Sequence, residues 1–73
     1  MIGIDLVRTG DNLYALMAEK GMTPNRVAEK LGINHMSAYK WVYGVNLPSI
    51  EHLLELSELL EVPIEKMLIY ERR

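Results

Sequence analysis

Apolar residues recur along the chain at three- and four-residue spacing, and glycines and prolines divide that pattern into short amphipathic segments. Thr9 is a capable N-cap, and Leu13, Tyr14, Leu16 and Met17 follow at helical spacing until Gly21, which predicts a first helix over residues 9–20. Ahead of it, Ile2, Ile4 and Leu6 alternate as in a strand, whereas Asp5 offers an earlier cap that would draw Leu6 and Val7 into the helical stripe. The reading preferred here is an extended arm over 1–8 packed on the core.

Thr23-Pro24 is a start signal, because proline is preorganised at the first helical position and its missing N–H has no partner to lose there. Val27, Ala28 and Leu31 then mark the buried face of a helix that Gly32 ends. Asn34 caps the next helix, in which Ala38, Trp41 and Val42 face inward and Gly44 is the stop. Its outward residues are His35, Met36, Tyr39, Lys40 and Tyr43. Ser49 caps a fourth helix with Glu51 in its first turn and Ile50, Leu53, Leu56, Ser57 and Leu60 along one side. Pro63 ends it and opens a short last helix through Met67. Five short helices and no sheet predict an all-α fold.

Composition narrows the chemistry. A chain of 73 residues holds one compact core, and 49% hydrophobic against 25% charged residues is the balance of a globular domain. Without cysteine there is no disulfide framework, thiolate zinc site or cysteine nucleophile, and His35 and His52 alone make no metal motif. No nucleophile and base stand in a recognisable motif and no glycine-rich phosphate cradle is present, so neither an enzyme nor a cofactor is expected. No apolar run approaches the roughly 20 residues that cross a bilayer, and no basic-then-apolar leader opens the chain, so a cytoplasmic protein without a membrane partner is expected. A domain this small buries only about 60% of its unfolded surface, which makes self-association an expectation. Residues 1–50 carry five basic and four acidic side chains, residues 51–73 three basic and six acidic. That balance excludes bulk electrostatic coating of nucleic acid but leaves room for a local contact by a few side chains.

The two helices from Pro24 to Tyr43, joined through Gly32-Ile33-Asn34, have the lengths and turn of a helix-turn-helix. The wider frame is more specific: Gly21-Met22-Thr23, Val27-Ala28-Glu29-Lys30-Leu31-Gly32-Ile33, Tyr39-Lys40-Trp41, Gly44, Leu47-Pro48-Ser49, then Leu53, Leu56, Leu60 and Val62-Pro63. This frame resembles the lambda-repressor-like family, the Cro/C1-type or XRE helix-turn-helix transcription regulators, across residues 10–68. The resemblance implies a five-helix domain over 9–70, with the helix-turn-helix at 24–43 between the arm of 1–8 and a tail of 71–73. It also implies a sequence-specific regulator whose third helix enters the major groove of double-stranded DNA, acting as a homodimer on a palindromic operator. Base contacts carry over to His35, Met36, Tyr39 and Lys40, and contacts to the DNA backbone to Thr23, Asn25, Arg26, Asn34, Tyr43 and Asn46. No small-molecule effector is implied.

Three departures qualify that picture. Pro24 stands where the family commonly has a glutamine that bonds the DNA backbone, a contact proline cannot make. Met17 and Val42 occupy positions where the family often buries an arginine against a glutamate; losing both charges together maintains a core, whereas losing one would strand the other at about 3–5 kcal/mol. Only Arg26, Lys30, Lys40 and Arg8 are available as phosphate partners, which predicts a shallow salt dependence. The outward Met36, Tyr39 and Tyr43 leave a second reading open, a protein-interaction or antitoxin-like module on the same scaffold. Trp41 is expected in the core and His52 on the surface near the acidic series of helix four. Leu54 and Leu59 are expected either at a dimer surface or in local packing.

Overall fold

A computed structural model describes residues 1–72. Among these the order is strand β1 (Ile2–Ile4), helices α1 (Leu6–Glu19), α2 (Pro24–Leu31), α3 (His35–Val42), α4 (Ile50–Leu60) and α5 (Ile64–Met67), and strand β2 (Tyr70–Arg72). The all-α expectation holds for the body of the domain, with one small addition. β1 and β2 pair antiparallel, Ile2 opposite Arg72, Gly3 opposite Glu71 and Ile4 opposite Tyr70.

Three of the four start signals act where the sequence puts them. Thr23 Oγ1 accepts the Arg26 N–H at 3.2 Å ahead of Pro24, Asn34 Oδ1 accepts the Met36 N–H at 2.7 Å, and Ser49 Oγ accepts the His52 N–H at 3.2 Å. The fourth does not. Asp5 caps α1, accepting the Arg8 N–H at 2.9 Å, so the helix begins at Leu6 rather than at residue 9 and the extended arm is shorter than expected. Thr9 is buried inside that helix, where its hydroxyl donates to the Ile69 carbonyl at 3.2 Å and accepts the Ile69 N–H at 2.9 Å. A side chain that satisfies a distant strand end cannot also cap its own helix. Asp5 in turn donates its N–H to the Ile69 carbonyl at 2.8 Å, which brings the two chain ends together as a sheet. Residues 71 and 72, expected in a free tail, therefore belong to β2; Arg73 lies outside the described residues.

The core is Leu13 and Met17 of α1, Val27 and Ala28 of α2, Ala38, Trp41 and Val42 of α3, Leu53, Leu56 and Leu60 of α4, and Met67 of α5. Met17 and Val42 are both buried in it, so the positions that could have held an ion pair are filled by apolar packing. Leu59 is half-buried against the core, whereas Leu54 remains exposed. Asn12 pins the far end of the chain by donating to the Lys66 and Met67 carbonyls at 2.7 and 3.0 Å. Lys20 and Glu61 tie the ends of α1 and α4, and the hydrogen bond from the Lys20 ammonium, then its charge, holds the Glu61 carboxyl below its usual range. A depressed carboxyl contributes stability above its ordinary pKa and loses it as pH falls through the folded value. Here both groups are at the surface and the effect is small.

What sets the position of α3 is a close backbone crossing. A Cβ on Gly10 of α1 would lie 2.5 Å from the Val42 carbonyl oxygen and 2.6 Å from that of Trp41. Both neighbours are backbone, which cannot swing aside. Gly10→Ala is accordingly expected to destabilise the fold by about 1–3 kcal/mol or more, read as a lower urea midpoint at unchanged slope. A midpoint equal to that of the parent chain would show that the crossing has slack.

Candidate nucleic-acid interface

The turn between α2 and α3 is built by Gly32 and Asn34. Gly32 adopts φ 69°, the left-handed region, and its N–H bonds back to the Glu29 carbonyl at 3.3 Å while Ile33 N–H reaches the Ala28 carbonyl at 3.0 Å. That reversal ends α2, and Asn34 then starts α3 at once. Ala38, Trp41 and Val42 anchor the inner side of α3 in the core. The helix can turn over only by exposing Trp41, so its opposite face is fixed outward.

On that outward face His35, Met36 and Lys40 are exposed, and Tyr39 is half-buried. Tyr39 stacks on Tyr43 with ring centroids 5.8 Å apart, and Tyr43 is itself exposed just past the helix end. Val45 and Asn46 donate their N–H groups to the Lys40 carbonyl at 2.9 and 3.4 Å, which folds the following loop onto the last turn of α3. Lys40 and Asn46 consequently share a cleft of about 360 Å³ with Ser37, Trp41, Leu47, Ser49 and His52. Among the described residues Lys40 makes no ion pair. Its ammonium is free for an incoming acceptor.

A larger cleft of about 630 Å³ lies between α1, the start of α2 and the end of α3, lined by Asp11, Tyr14, Thr23, Pro24, Tyr39, Val42 and Tyr43. Thr23, Tyr39 and Tyr43 thus come together, whereas His35, Met36, Asn25 and Arg26 line neither cleft and stand on the open surface. Arg26 is partly neutralised by Glu29, 3.6 Å away one turn along α2. Asn34 is exposed, but its side-chain oxygen is committed to the cap.

Sequence reasoning passed over Ser37. Ser37 lies three residues before Lys40 on one helix face, a spacing that could have paired them. His52 was expected at the surface and is half-buried, its ring 5.4 Å from that of Trp41. That contact joins α3 to α4, and no local pattern signals it.

The helix-turn-helix family model matches residues 13–67, which spans the second half of α1, then α2, the turn, α3, α4 and α5. The chain belongs to the Cro/C1-type helix-turn-helix family. Helix-turn-helix domains of this type are DNA-binding domains, and double-stranded DNA is the partner the fold provides for. Among solved structures, the crystal structure of "a putative DNA-binding protein from Bacteroides fragilis" superposes with a TM-score of 0.74 at 23% identity, covering 94% of this chain and 100% of that one. At that identity the likeness concerns the fold. No curated protein matches the chain. Among the described residues no helix is long and apolar enough to cross a membrane, and no group of His, Cys, Asp or Glu is placed to hold a metal ion.

Because the cap orients the whole helix-turn-helix face, Asn34→Ala is expected to lower stability by about 1 kcal/mol, whereas Asn34→Asp retains the cap. Thermal melts of both variants check this. Equal losses in the two would mean that the Oδ1 bond contributes nothing.

Proposed function

We propose that this helix-turn-helix protein is a sequence-specific transcription regulator that reads an operator with α3 in the major groove. The carrying observation is the division of α3 into a face locked in the core by Ala38, Trp41 and Val42 and an outer face bearing exposed His35, Met36 and Lys40. In this reading Lys40 donates to the acceptor edge of guanine, His35 donates or accepts, Met36 packs on a thymine methyl, and Tyr39 reaches a base or phosphate. Thr23, Asn25, Arg26, Asn34, Tyr43 and Asn46 hold the DNA backbone beside them, with the amino end of α2 adding its partial positive charge.

A shortage of cations supports homodimeric binding to a palindrome. With Arg26 drawn toward Glu29 and Lys20 toward Glu61, one copy offers few phosphate contacts, and each contributes only about one unit of salt slope. Two copies on one duplex double the contacts and fix the half-site spacing.

Selection of bound duplexes from a random pool at modest salt is expected to enrich a palindrome. Lys40→Ala should then weaken binding to it by about 1–3 kcal/mol, roughly fivefold to 150-fold, and relax preference at one base pair per half-site. No enrichment from folded protein would instead favour a protein partner for Met36, Tyr39 and Tyr43. Enrichment with Lys40→Ala indistinguishable from the parent would remove Lys40 from the reading surface.

A further inference from the structure

We infer that two copies of the chain join through the open edge of β1, a two-fold axis passing through Gly3 and merging their ribbons into one sheet ordered β2–β1–β1–β2. This rests on the homodimer reading above and specifies its interface. The β1–β2 ribbon is a two-stranded sheet, a unit that is marginal in water unless something covers it. Side chains two apart share a face, so Ile2, Ile4, Tyr70 and Arg72 lie on one side of it, and all are exposed. The next residues along, Leu6 and Val7, are exposed as well.

The backbone fixes the register. Asp5 donates its N–H across to the Ile69 carbonyl, so by the alternation of an antiparallel pair Gly3 and Glu71, two back, direct their backbone groups across the ribbon. Ile2 and Ile4 must then point theirs away from β2, off the open edge. An antiparallel two-fold about Gly3 sets Ile2 opposite Ile4 of the second copy, where each pair exchanges both N–H···O=C bonds, and brings the two isoleucine side chains together on one face.

Charge selects this edge over its rivals. Strand β1 carries no ionisable side chain to block edge pairing. The equivalent two-fold on β2 would set Glu71 against its own copy. The exposed apolar pair Ile50 and Leu54 on α4 is bordered by Glu51, Glu55 and Glu58, which a two-fold would bring against like charges.

In that register Gly3 faces Gly3 as a non-hydrogen-bonded pair, with Cα atoms about 4.5 Å apart, inside the range of about 4.4–6.8 Å that a disulfide spans. The chain has no cysteine, so a single introduced one reads cleanly. Gly3→Cys under mild oxidation is expected to give mostly covalent dimer that still binds the selected duplex, while Glu71→Cys and Leu54→Cys remain monomeric on a non-reducing gel. By sedimentation the parent chain is expected to dimerise, with Ile4→Lys and Ile2→Lys weakening association at least tenfold at an unchanged helical circular-dichroism spectrum. A dimer that cross-links through Leu54→Cys or Glu71→Cys instead, or that neither lysine variant disturbs, would overturn this interface and leave the homodimer standing. A parent chain that is monomeric both free and on DNA would overturn both.

Discussion

The crossing of α1 over the end of α3 at Gly10 is the constraint on which the outward face of α3 depends. Only a residue without Cβ lets the two backbones meet at the Trp41 and Val42 carbonyls, and those two residues are also the inward anchors of the helix. Depth and rotation of α3 are thus set together: the backbone contact fixes how close the helix comes, and burial of Trp41 fixes which side faces out. Lys40 and Met36 gain their exposure from that contact although neither takes part in it.

Holding α1 in place is the work of polar groups at the chain ends. Thr9 satisfies both backbone groups of Ile69, Asn12 takes the Lys66 and Met67 carbonyls, and the sheet closes the circuit from Asp5 outward. Net, each such bond contributes about 0.5–1.5 kcal/mol, but removing one partner exposes the other to the larger cost of an unpaired buried group. In a domain with no disulfide and a small apolar core, these long-range ties make the ends of the chain part of the folded unit.

How much of this could be read from the sequence follows the range of each interaction. Thr23-Pro24, Gly32, Asn34 and Ser49 act within three or four residues, so local pattern alone locates α2, α3 and α4 and the inward stripe of α3. Thr9 and Asp5 were both competent caps by chemistry. Their roles are divided by Ile69, sixty residues from Thr9, which no window along the chain contains. The same holds for β1 and β2, each three residues long and paired end to end. At the candidate interface the exposed residues of α3 were legible from helical phase. Asn46 joins Lys40 through loop hydrogen bonds and His52 meets Trp41 across helices, and neither arrangement leaves a periodic trace.

The acidic balance of the chain bears on how its fold can meet DNA through the placement of its ion pairs. Two of the basic side chains are spent on Glu61 and Glu29, and the larger cleft beside Pro24 has a carboxylate, Asp11, on its wall. A phosphate approaching there would meet the hydroxyls of Thr23 and Tyr43, while the buried proline ring cannot donate and Asp11 opposes it. On the other side of α3 the cleft holds a cation, Lys40, with Ser37, Asn46 and Ser49 around it. A binder arranged in this way draws little affinity from the backbone at large and depends on the docking of one helix face. Such a surface offers a nucleic acid a few directed contacts in place of a broad basic face.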